Sequence, residues 1–470
     1  MALLTDRDKV AHLLRRFGLG ASESEVDFYA KDGLESAINL LLSDDGDDDG
    51  LPIEPQAFSN DKGLVPMPVV VDLWILRMLG SRRPVHEKMT LFWHDHFATS
   101  ASKVNQPPLM LRQNEILRKN ALGDFPTLLS EVSKDPAMIF WLDNQENLKG
   151  HANENFAREV MELFTLGIGH YTEKDIQEAA RAFTGWSIQR RGPGGGQGKR
   201  GYAEFMFRPF VHDSDEKTVL GTKGNLDGDD VLKILCDQPR CAEYLTEKIW
   251  NWFVWPDPDA KTIAPFAKRF RDSGLSVKAL LGDIMRSKEF YSSQAERKIV
   301  KTPVDVCVTT LRQLGVGESL MTRVRAVQTD SAPRGLLAPA QVSQLAMKGM
   351  GMWLMYPPDV AGWDSGQAWI TSATMVERMG WADKLFGQGQ NARQALRYPT
   401  YGLLQDDPSP KGVVAKLASV FDAPLRPTTE KALVSAAQSK MGSGLTQANS
   451  NEVAAFITRL IFASPEFQFA

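Results

Sequence analysis

Apolar residues recur with a helical period along most of this chain. Capping residues, glycines and prolines mark where the pattern starts and stops, as in the capping box of Ser22 with Glu25. The pattern therefore predicts amphipathic helices in many consecutive segments. They cover residues 5–18, 22–33, 34–42, 66–99 with a break at Gly80 and a restart after Pro84, 110–119, 125–133, two within 153–186, and most of 229–470.

Two segments depart from the helical period. Residues 188–200 form a glycine-rich stretch without the Gly-Lys-Ser/Thr order of a phosphate-binding loop, and residues 201–221 have weak strand character. We therefore predict a mainly α fold, a large multi-helix body with a short extended or hairpin insertion around residues 188–221. The predicted regions are 1–187 with the HDH and NENFARE motifs, 188–228 with an HD motif, and 229–470, which packs as one body with the first.

Composition narrows the classes of function. Of the 470 residues 43% are apolar, enough for a sizeable core, and the net charge is −4. This charge gives no electrostatic reason to expect nucleic acid or an anionic membrane as partner, and no apolar run approaches the length of a membrane span. No export signal is visible, so we expect a cytoplasmic protein, or a periplasmic or exported one if a signal peptide was removed. The three cysteines are expected to be thiols.

The segment FWHDHFATS, residues 92–100, carries two of the seven histidines, His94 and His96, on either side of Asp95. If a helix continues through both, their rings lie about 200° apart and cannot share a ligand. If the helix ends near Trp93, the extended chain puts both rings on one side, and the following ATSAS favours this ending. The pair could then bind a metal; otherwise each histidine is a hydrogen-bonded core residue.

Residues 153–167, NENFAREVMELFTLG, predict a helix with one broad apolar face. Glu159 and Glu162 lie three residues apart along an edge of that face, so their carboxylates can converge on one point. A helix places carboxylates there when they reach a metal or a substrate at the rim of a core. The alternative is a pair of Arg158 with Glu162 among ordinary surface acids.

Further charged groups accompany the next helix and the predicted arm. Arg181 borders the apolar face of residues 171–186, where it could bind an anion, orient a carboxylate or form a structural salt bridge. His212 and Asp213 are adjacent, and Lys217 follows the histidine by five residues. Such a pair could supply a ligand or a base with its orienting group, or a polar turn.

Taken in order, these motifs resemble a bacterial family named for a domain of unknown function, number 1800. The resemblance covers nearly the whole chain and is most specific in the string NENFARE…ELFTLG…YTE…DI…EAAR…GW. The segments that carry it are residues 12–20 (HLLRRFGLG), 91–100 (LFWHDHFATS), 133–147 (SKDPAMIFWLDNQEN), 153–186, 212–221 (HDSDEKTVLG), 301–315 (KTPVDVCVTTLRQLG), 357–370 (PPDVAGWDSGQAWI) and 464–468 (SPEFQ).

The resemblance implies more about which genes lie beside this one than about the reaction. Members are often encoded beside sulfatase-like proteins, which implies a sulfatase-like partner and polymer or sulfate-ester metabolism outside the cytoplasm. Burying many charged and amide groups costs free energy unless each is paired, so these motifs favour a site. The family's motif positions coincide with His96, Asn155, Arg158, Glu159, Glu162, Asp175, Arg181, His212, Asp213 and Lys217.

The first functional hypothesis is a metal-dependent enzyme, a hydrolase or an oxidoreductase. A divalent zinc, iron or manganese ion suits mixed imidazole and carboxylate ligands, and it would activate water or dioxygen. The predicted metal ligands are His94, His96, Glu159, Glu162 and His212. The predicted catalytic groups are Glu159, Arg181, Asp213 and Lys217.

Two other hypotheses remain open. In a metal-free hydrolase or lyase, Glu159 with Glu162 or His96 would act as acid and base on a carbohydrate. Tryptophans such as Trp186, Trp363 and Trp369 could then stack on sugar rings, or they could pack in the core. In the third hypothesis the protein is a non-enzymatic accessory or carrier that works with the sulfatase-like partner.

Overall fold

Helices dominate the architecture, as the apolar period predicts. The computed structural model describes residues 3–43, 55–59, 64–190, 203–325, 334–387 and 396–470. Within these residues the secondary structure is helical apart from two small two-stranded sheets, which confirms the mainly α fold. Most of the predicted glycine-rich loop, residues 191–200, lies outside the described residues.

The N-terminal helices follow the predicted segments. Local signals set their ends: Ser22 and Glu25 form the capping box of the second helix, and Pro84 occupies the first turn of the fifth. The helices are α1 (Asp6–Phe17), α2 (Glu23–Ala30), α3 (Leu34–Leu42), α4 (Met67–Gly80), α5 (Pro84–His96), α6 (Ala101–Val104), α7 (Pro107–Lys119), α8 (Phe125–Ser133), α9 (Pro136–Trp141), α10 (Glu154–Glu159) and α11 (Glu173–Ala182).

The C-terminal part is also helical, and it is interrupted where proline, tryptophan and glycine accumulate. The segment between α18 and α19 contains the short 3-10 turn Gly366–Trp369. The helices are α12 (Gly228–Asp237), α13 (Pro239–Phe253), α14 (Ala260–Asp272), α15 (Val277–Arg286), α16 (Pro303–Gln313), α17 (Val316–Arg325), α18 (Ala338–Gly349), α19 (Ser372–Phe386), α20 (Tyr401–Leu404), α21 (Pro410–Val420), α22 (Pro427–Met441) and α23 (Ser450–Ala463).

The short extended elements form the predicted insertion. Strand β1 (Trp186–Arg190) pairs antiparallel with β2 (Ala203–Phe207), and Trp186 lies opposite Phe207. Strand β3 (Lys217–Val219) pairs antiparallel with β4 (Thr222–Gly224). Among the described residues, no helix is long and apolar enough to cross a membrane.

Two hydrophobic cores meet at α5. One core joins α4 to α16, α18, α19 and α21–α23, and the other joins α1 and α3 to α8 and α10–α15. Helix α5 contributes Leu91 to the first core, and Phe92 and Trp93 to the second. The segment that carries both histidines therefore lies between the cores, where its side chains contact distant parts of the chain.

Candidate functional site

Helix α5 continues through both histidines. Its last residue is His96, and the N–H of Phe97 still donates to the carbonyl of Trp93 at 2.8 Å. The ring of Trp93 is fully buried, and its Nε1–H donates to the carbonyl of Ala121 at 3.1 Å. Because the helix does not end at Trp93, the two imidazoles point to different sides. The extended ending that ATSAS favoured is therefore wrong.

His94 packs beside two tryptophans as a neutral acceptor. Its ring centroid lies 5.1 Å from that of Trp74 and 5.6 Å from that of Trp363. Its Nε2 accepts a hydrogen bond from the backbone N–H of Met355 at 3.2 Å. Burial lowers the pKa of His94 to about 3, so the imidazole is uncharged near neutral pH. The lone pair on Nε2 is already used within the fold.

His96 faces the other core. Its Nε2 lies 3.1 Å from the carbonyl oxygen of Phe164, so Nε2–H donates and Nδ1 carries the lone pair. Nδ1 is buried without a hydrogen-bond partner. Burial lowers the pKa of His96 well below its usual value, and the charge of Lys248 lowers it further. His96 is therefore a neutral core residue with one unused nitrogen.

Asp95, between the histidines, anchors the segment of residues 357–370. Its Oδ1 accepts the N–H of Trp363 at 2.8 Å. Gly362 has a φ of +90°, and a Cβ there would lie 2.4 Å from Oδ1 of Asp95. Burial raises the pKa of Asp95 to about 6, although the Trp363 hydrogen bond and Lys248 oppose this. Asp95 could be recognised from the sequence because it lies within the His-Asp-His pattern. Lys248 belongs to no motif, so no sequence pattern indicated it.

The predicted carboxylate helix changes its winding after Glu159. Helix α10 ends there, and a π-helix spans Val160–Leu166. It closes with the N–H of Gly167 donating to the carbonyl of Glu162 at 3.0 Å. π-Helical turns are rare and occur often at functional sites. The wider turn also changes the angle between Glu159 and Glu162 from the regular helical value.

Glu159 and Glu162 are both half-buried, but their contacts differ. Glu162 accepts a hydrogen bond from the Tyr171 hydroxyl. Within the described part of the chain, the carboxylate of Glu159 has no hydrogen bond or ion pair. Burial raises the pKa of Glu159, the charges of Glu162 and Asp359 raise it further, and Arg158 opposes them. The three carboxylates thus form one electrostatic cluster, the Glu159 cluster.

Arg158 does not pair with Glu162. Its guanidinium donates to Glu173 at 2.9 and 2.7 Å and to Glu154 at 3.3 Å. A cation held between two carboxylates compensates little of the negative charge of a third group. The positive charge nearest to Glu159 in sequence is therefore engaged elsewhere.

The amide side chains of the motifs satisfy one another and the backbone. Asn147 donates to Oδ1 of Asn144 at 3.1 Å, and its own Oδ1 accepts the N–H of Asn153 at 2.9 Å. Asn155 donates through Nδ2 to the carbonyl of Leu142 at 3.1 Å. Buried backbone groups need such partners, so the amides have a structural role.

Arg181 of α11 lies beside Asp213 and Lys217, which belong to the arm that follows β2. Arg181 donates through Nε to Asp213 at 2.8 Å and through NH1 to Glu178 at 3.0 Å. Lys217 is buried and donates to the carbonyl of Asp215 at 3.0 Å. Arg181 thus binds one carboxylate on its own helix, Glu178, and one on the arm, Asp213. These contacts hold the arm against α11, and we call the group of Arg181, Asp213 and Lys217 the Arg181 clamp.

His212 belongs to the same clamp. Its Nδ1 lies 2.8 Å from the carbonyl oxygen of Thr184, so Nδ1–H donates. The Thr184 hydroxyl oxygen accepts the N–H of Asp213 at 2.7 Å. The ring also contacts the edge of Phe207, with centroids 5.3 Å apart. These contacts connect His212 to Arg181 through one short segment.

The predicted metal ligands occupy separate surroundings. His94 faces Trp74, His96 faces Phe164, and His212 belongs to the clamp on α11. In the ranges that the structure describes, no group of three or more His, Cys, Asp or Glu side chains could hold a metal ion. Binding of zinc, iron or manganese stays a prediction.

The tryptophans proposed as sugar platforms pack in the cores. Trp186, Trp363 and Trp369 are 3%, 9% and 6% exposed, which is too little for stacking against a polymer. The three cysteines are buried free thiols, as expected.

Comparison with known proteins agrees with the motif resemblance. A family model described as "Protein of unknown function (DUF1800)" matches residues 12–469. No curated protein and no solved structure matches the chain. The match includes α5 with its two histidines, the Glu159 cluster and the Arg181 clamp. Because it spans almost the entire sequence, the chain belongs to the DUF1800 family.

Proposed function

We propose that this protein is an acid–base enzyme, a hydrolase or lyase, with Glu159 as its proton donor. The observation that carries the proposal is the half-buried Glu159 carboxylate, which has no partner among the described residues and faces the charges of Glu162 and Asp359. A carboxyl group with a raised pKa keeps its proton closer to neutral pH, as a general acid requires. The family affiliation alone assigns no reaction.

Glu162 supplies the second carboxylate of the proposed pair. The hydrogen bond from Tyr171 orients its carboxylate. One protonated and one ionised carboxyl are the groups that cleave a glycosidic bond: the acid protonates the leaving oxygen, and the base activates water or attacks the sugar carbon. A carbohydrate is accordingly the proposed substrate class.

The charge of the cluster indicates which carbohydrates would bind. Glu159, Glu162 and Asp359 are three carboxylates, and Arg158 is engaged by Glu154 and Glu173. Such a surface repels sulfated or carboxylated chains and accepts neutral or amino sugars. We therefore favour a neutral polysaccharide over a sulfate ester as substrate of this site.

The metal-dependent hydrolase or oxidoreductase stays a second proposal. Its support is only the negative charge that Glu159 shares with Glu162 and Asp359, since the described side chains form no group of three or more that could hold a metal ion. A sulfatase-like partner stays a prediction of the family resemblance, and co-purification from a native extract tests it.

The test is turnover of purified protein on neutral glucans and on chitosan, followed as release of reducing ends. Glu159→Gln should lower the rate by about 10²- to 10⁴-fold. As a matched control, Glu154→Gln changes a glutamate of the same helix that pairs with Arg158, and it should leave the rate within about twofold. Full activity of Glu159→Gln would rule out the acid–base assignment.

Chelation separates the two proposals. A rate that survives EDTA but depends on Glu159 supports the metal-free reaction. A rate lost in EDTA and restored by zinc, iron or manganese supports the metal-dependent one. The pH profile is a further test of the assignment. If Glu159 is the acid, the rate falls as the pH rises through its raised pKa.

A further inference from the structure

A second candidate site lies far along the chain from Glu159. A cavity of about 520 Å³ opens between α1, the start of α16 and the end of α21. This volume is in the range of small-molecule sites. Its lining includes Arg15 from the first motif, residues 12–20, and Lys301 and Asp305 from the motif 301–315. Two motif segments that are distant in sequence therefore line one cavity. The residues of the Glu159 cluster are not part of its lining.

Lys301 is the exceptional group in this cavity. Its side chain is buried, with a residue exposure of 3%, yet its ammonium has no hydrogen bond or ion pair among the described residues. The ammonium lies 4.0 Å from the centroid of the Phe467 ring. Its backbone is fixed on both sides, because its N–H donates to Gln468 at 2.8 Å and its carbonyl accepts from Arg378 at 2.7 Å. A buried cation needs a counter-charge, and the ring face is a weak substitute for one.

The neighbouring charges leave an excess of positive charge. Arg15 and Arg297 both donate to the carboxylate of Asp422. Asp305 is paired with Lys88, which reaches it from α5. Arg15 and Arg297 therefore share the carboxylate of Asp422, and the charge of Glu296 also faces Arg297, which leaves Lys301 without a carboxylate of its own.

The rim of the cavity does not supply the missing counter-charge to Lys301. Glu23, at the entrance, pairs with Arg7. Asp8 caps the start of α1 by accepting from the N–H and hydroxyl of Thr5. The remaining wall combines small apolar residues such as Ala11 with the uncharged polar side chains of Thr309 and Gln313, so it suits a compact organic molecule.

We propose that this cavity binds a small organic anion whose carboxylate or phosphate group pairs with Lys301 between Arg15 and Arg297. The ligand would supply the counter-ion that the described residues do not give to the Lys301 ammonium. The arrangement also fits a pH-dependent site, because burial lowers the pKa of Lys301 to about 7 and a bound anion would raise it. The proposal does not depend on the function proposed for Glu159.

Calorimetric titration of the full chain tests this site with succinate and inorganic phosphate as probes and 1,4-butanediol as the uncharged control. We expect at least one anion to bind at pH 6, where Lys301 is protonated, and to bind more weakly at pH 8.5. Lys301→Met should weaken binding at least about tenfold. The control Lys348→Met removes another lysine that lies over an aromatic ring, at 3.6 Å from Trp353, and should change nothing.

A second measurement guards against a folding artefact. Lysines methylated with ¹³C-formaldehyde give separate NMR signals, and the signal absent from Lys301→Met belongs to Lys301. It should shift when the binding anion is added to the wild-type protein. Equal anion binding by wild type and Lys301→Met, equal binding of butanediol, or no anion binding at about 10 mM would each overturn the proposal.

Discussion

The buried ion pair between Lys88 and Asp305, which joins α5 to α16, should make a large contribution to the free energy of unfolding. Lys88 lies on α5 and Asp305 on α16, and their side chains are only 5% and 9% exposed. Asp305 also accepts the N–H of Thr302 at 3.0 Å and so begins α16. Lys88→Met removes the ammonium while keeping much of the volume, and it leaves the carboxylate buried without its counter-ion.

The magnitude follows from this burial. Removing one partner of a buried pair costs about 3–5 kcal/mol of the free energy of unfolding. The unfolding entropy of a 470-residue chain is roughly 1 kcal/mol per kelvin, since each residue contributes about 2 cal/mol per kelvin. We therefore expect Lys88→Met to lower Tm by about 3–5 °C in a thermal unfolding scan at neutral pH.

Two further variants show whether burial is the reason. Lys88→Met combined with Asp305→Asn removes both charges of the pair and should recover much of the lost Tm. The control Lys233→Met breaks an exposed pair with Asp237, whose side chains are 75% and 61% exposed, and should move Tm by less than about 1 °C. Equal shifts for both single variants, or no recovery in the double variant, would refute the reasoning.

Three other predictions concern side chains around α5 and α11. Asp95→Asn should raise Tm above pH 6 and lose this advantage toward pH 4, because the raised pKa of Asp95 makes its ionisation destabilising as pH rises through about 6. Gly362→Ala should lower Tm by about 1–3 °C, since its Cβ would meet Asp95 at a φ of +90°. Asp213→Asn should weaken the clamp of Arg181, seen as faster hydrogen exchange in residues 208–220 without a change elsewhere.

The helices were predictable because their signals are local. The capping box of Ser22 with Glu25 involves residues three apart, and it forms as the sequence indicates. The extended insertion was predictable for the same reason, since its aromatic residues and the glycines beside it stand close together in sequence. These elements can be predicted without knowing how the rest of the chain folds.

The arrangement of the site depends on contacts that sequence spacing does not contain. Asp95 meets Trp363 across 268 residues, and Lys88 meets Asp305 across 217. The continuation of α5 to His96 depends on two cores that hold its side chains, and these outweigh the local preference of ATSAS to end the helix. The π-helix after Glu159 likewise departs from the regular period on which the prediction was based.

Polar residues whose hydrogen-bonding groups are occupied within the fold have a structural role, and charged residues without a partner are the candidates for function. Arg181 and Asn147 have their donors occupied within the fold, so their presence in the motifs follows from the need to satisfy buried groups. Glu159 and Lys301 carry charge in buried or half-buried surroundings and have no hydrogen bond or ion pair in the part of the chain described. Such groups destabilise the folded protein unless a ligand compensates their charge or a change of protonation removes it. Because the two groups contact different elements, loss of one function should leave the other intact.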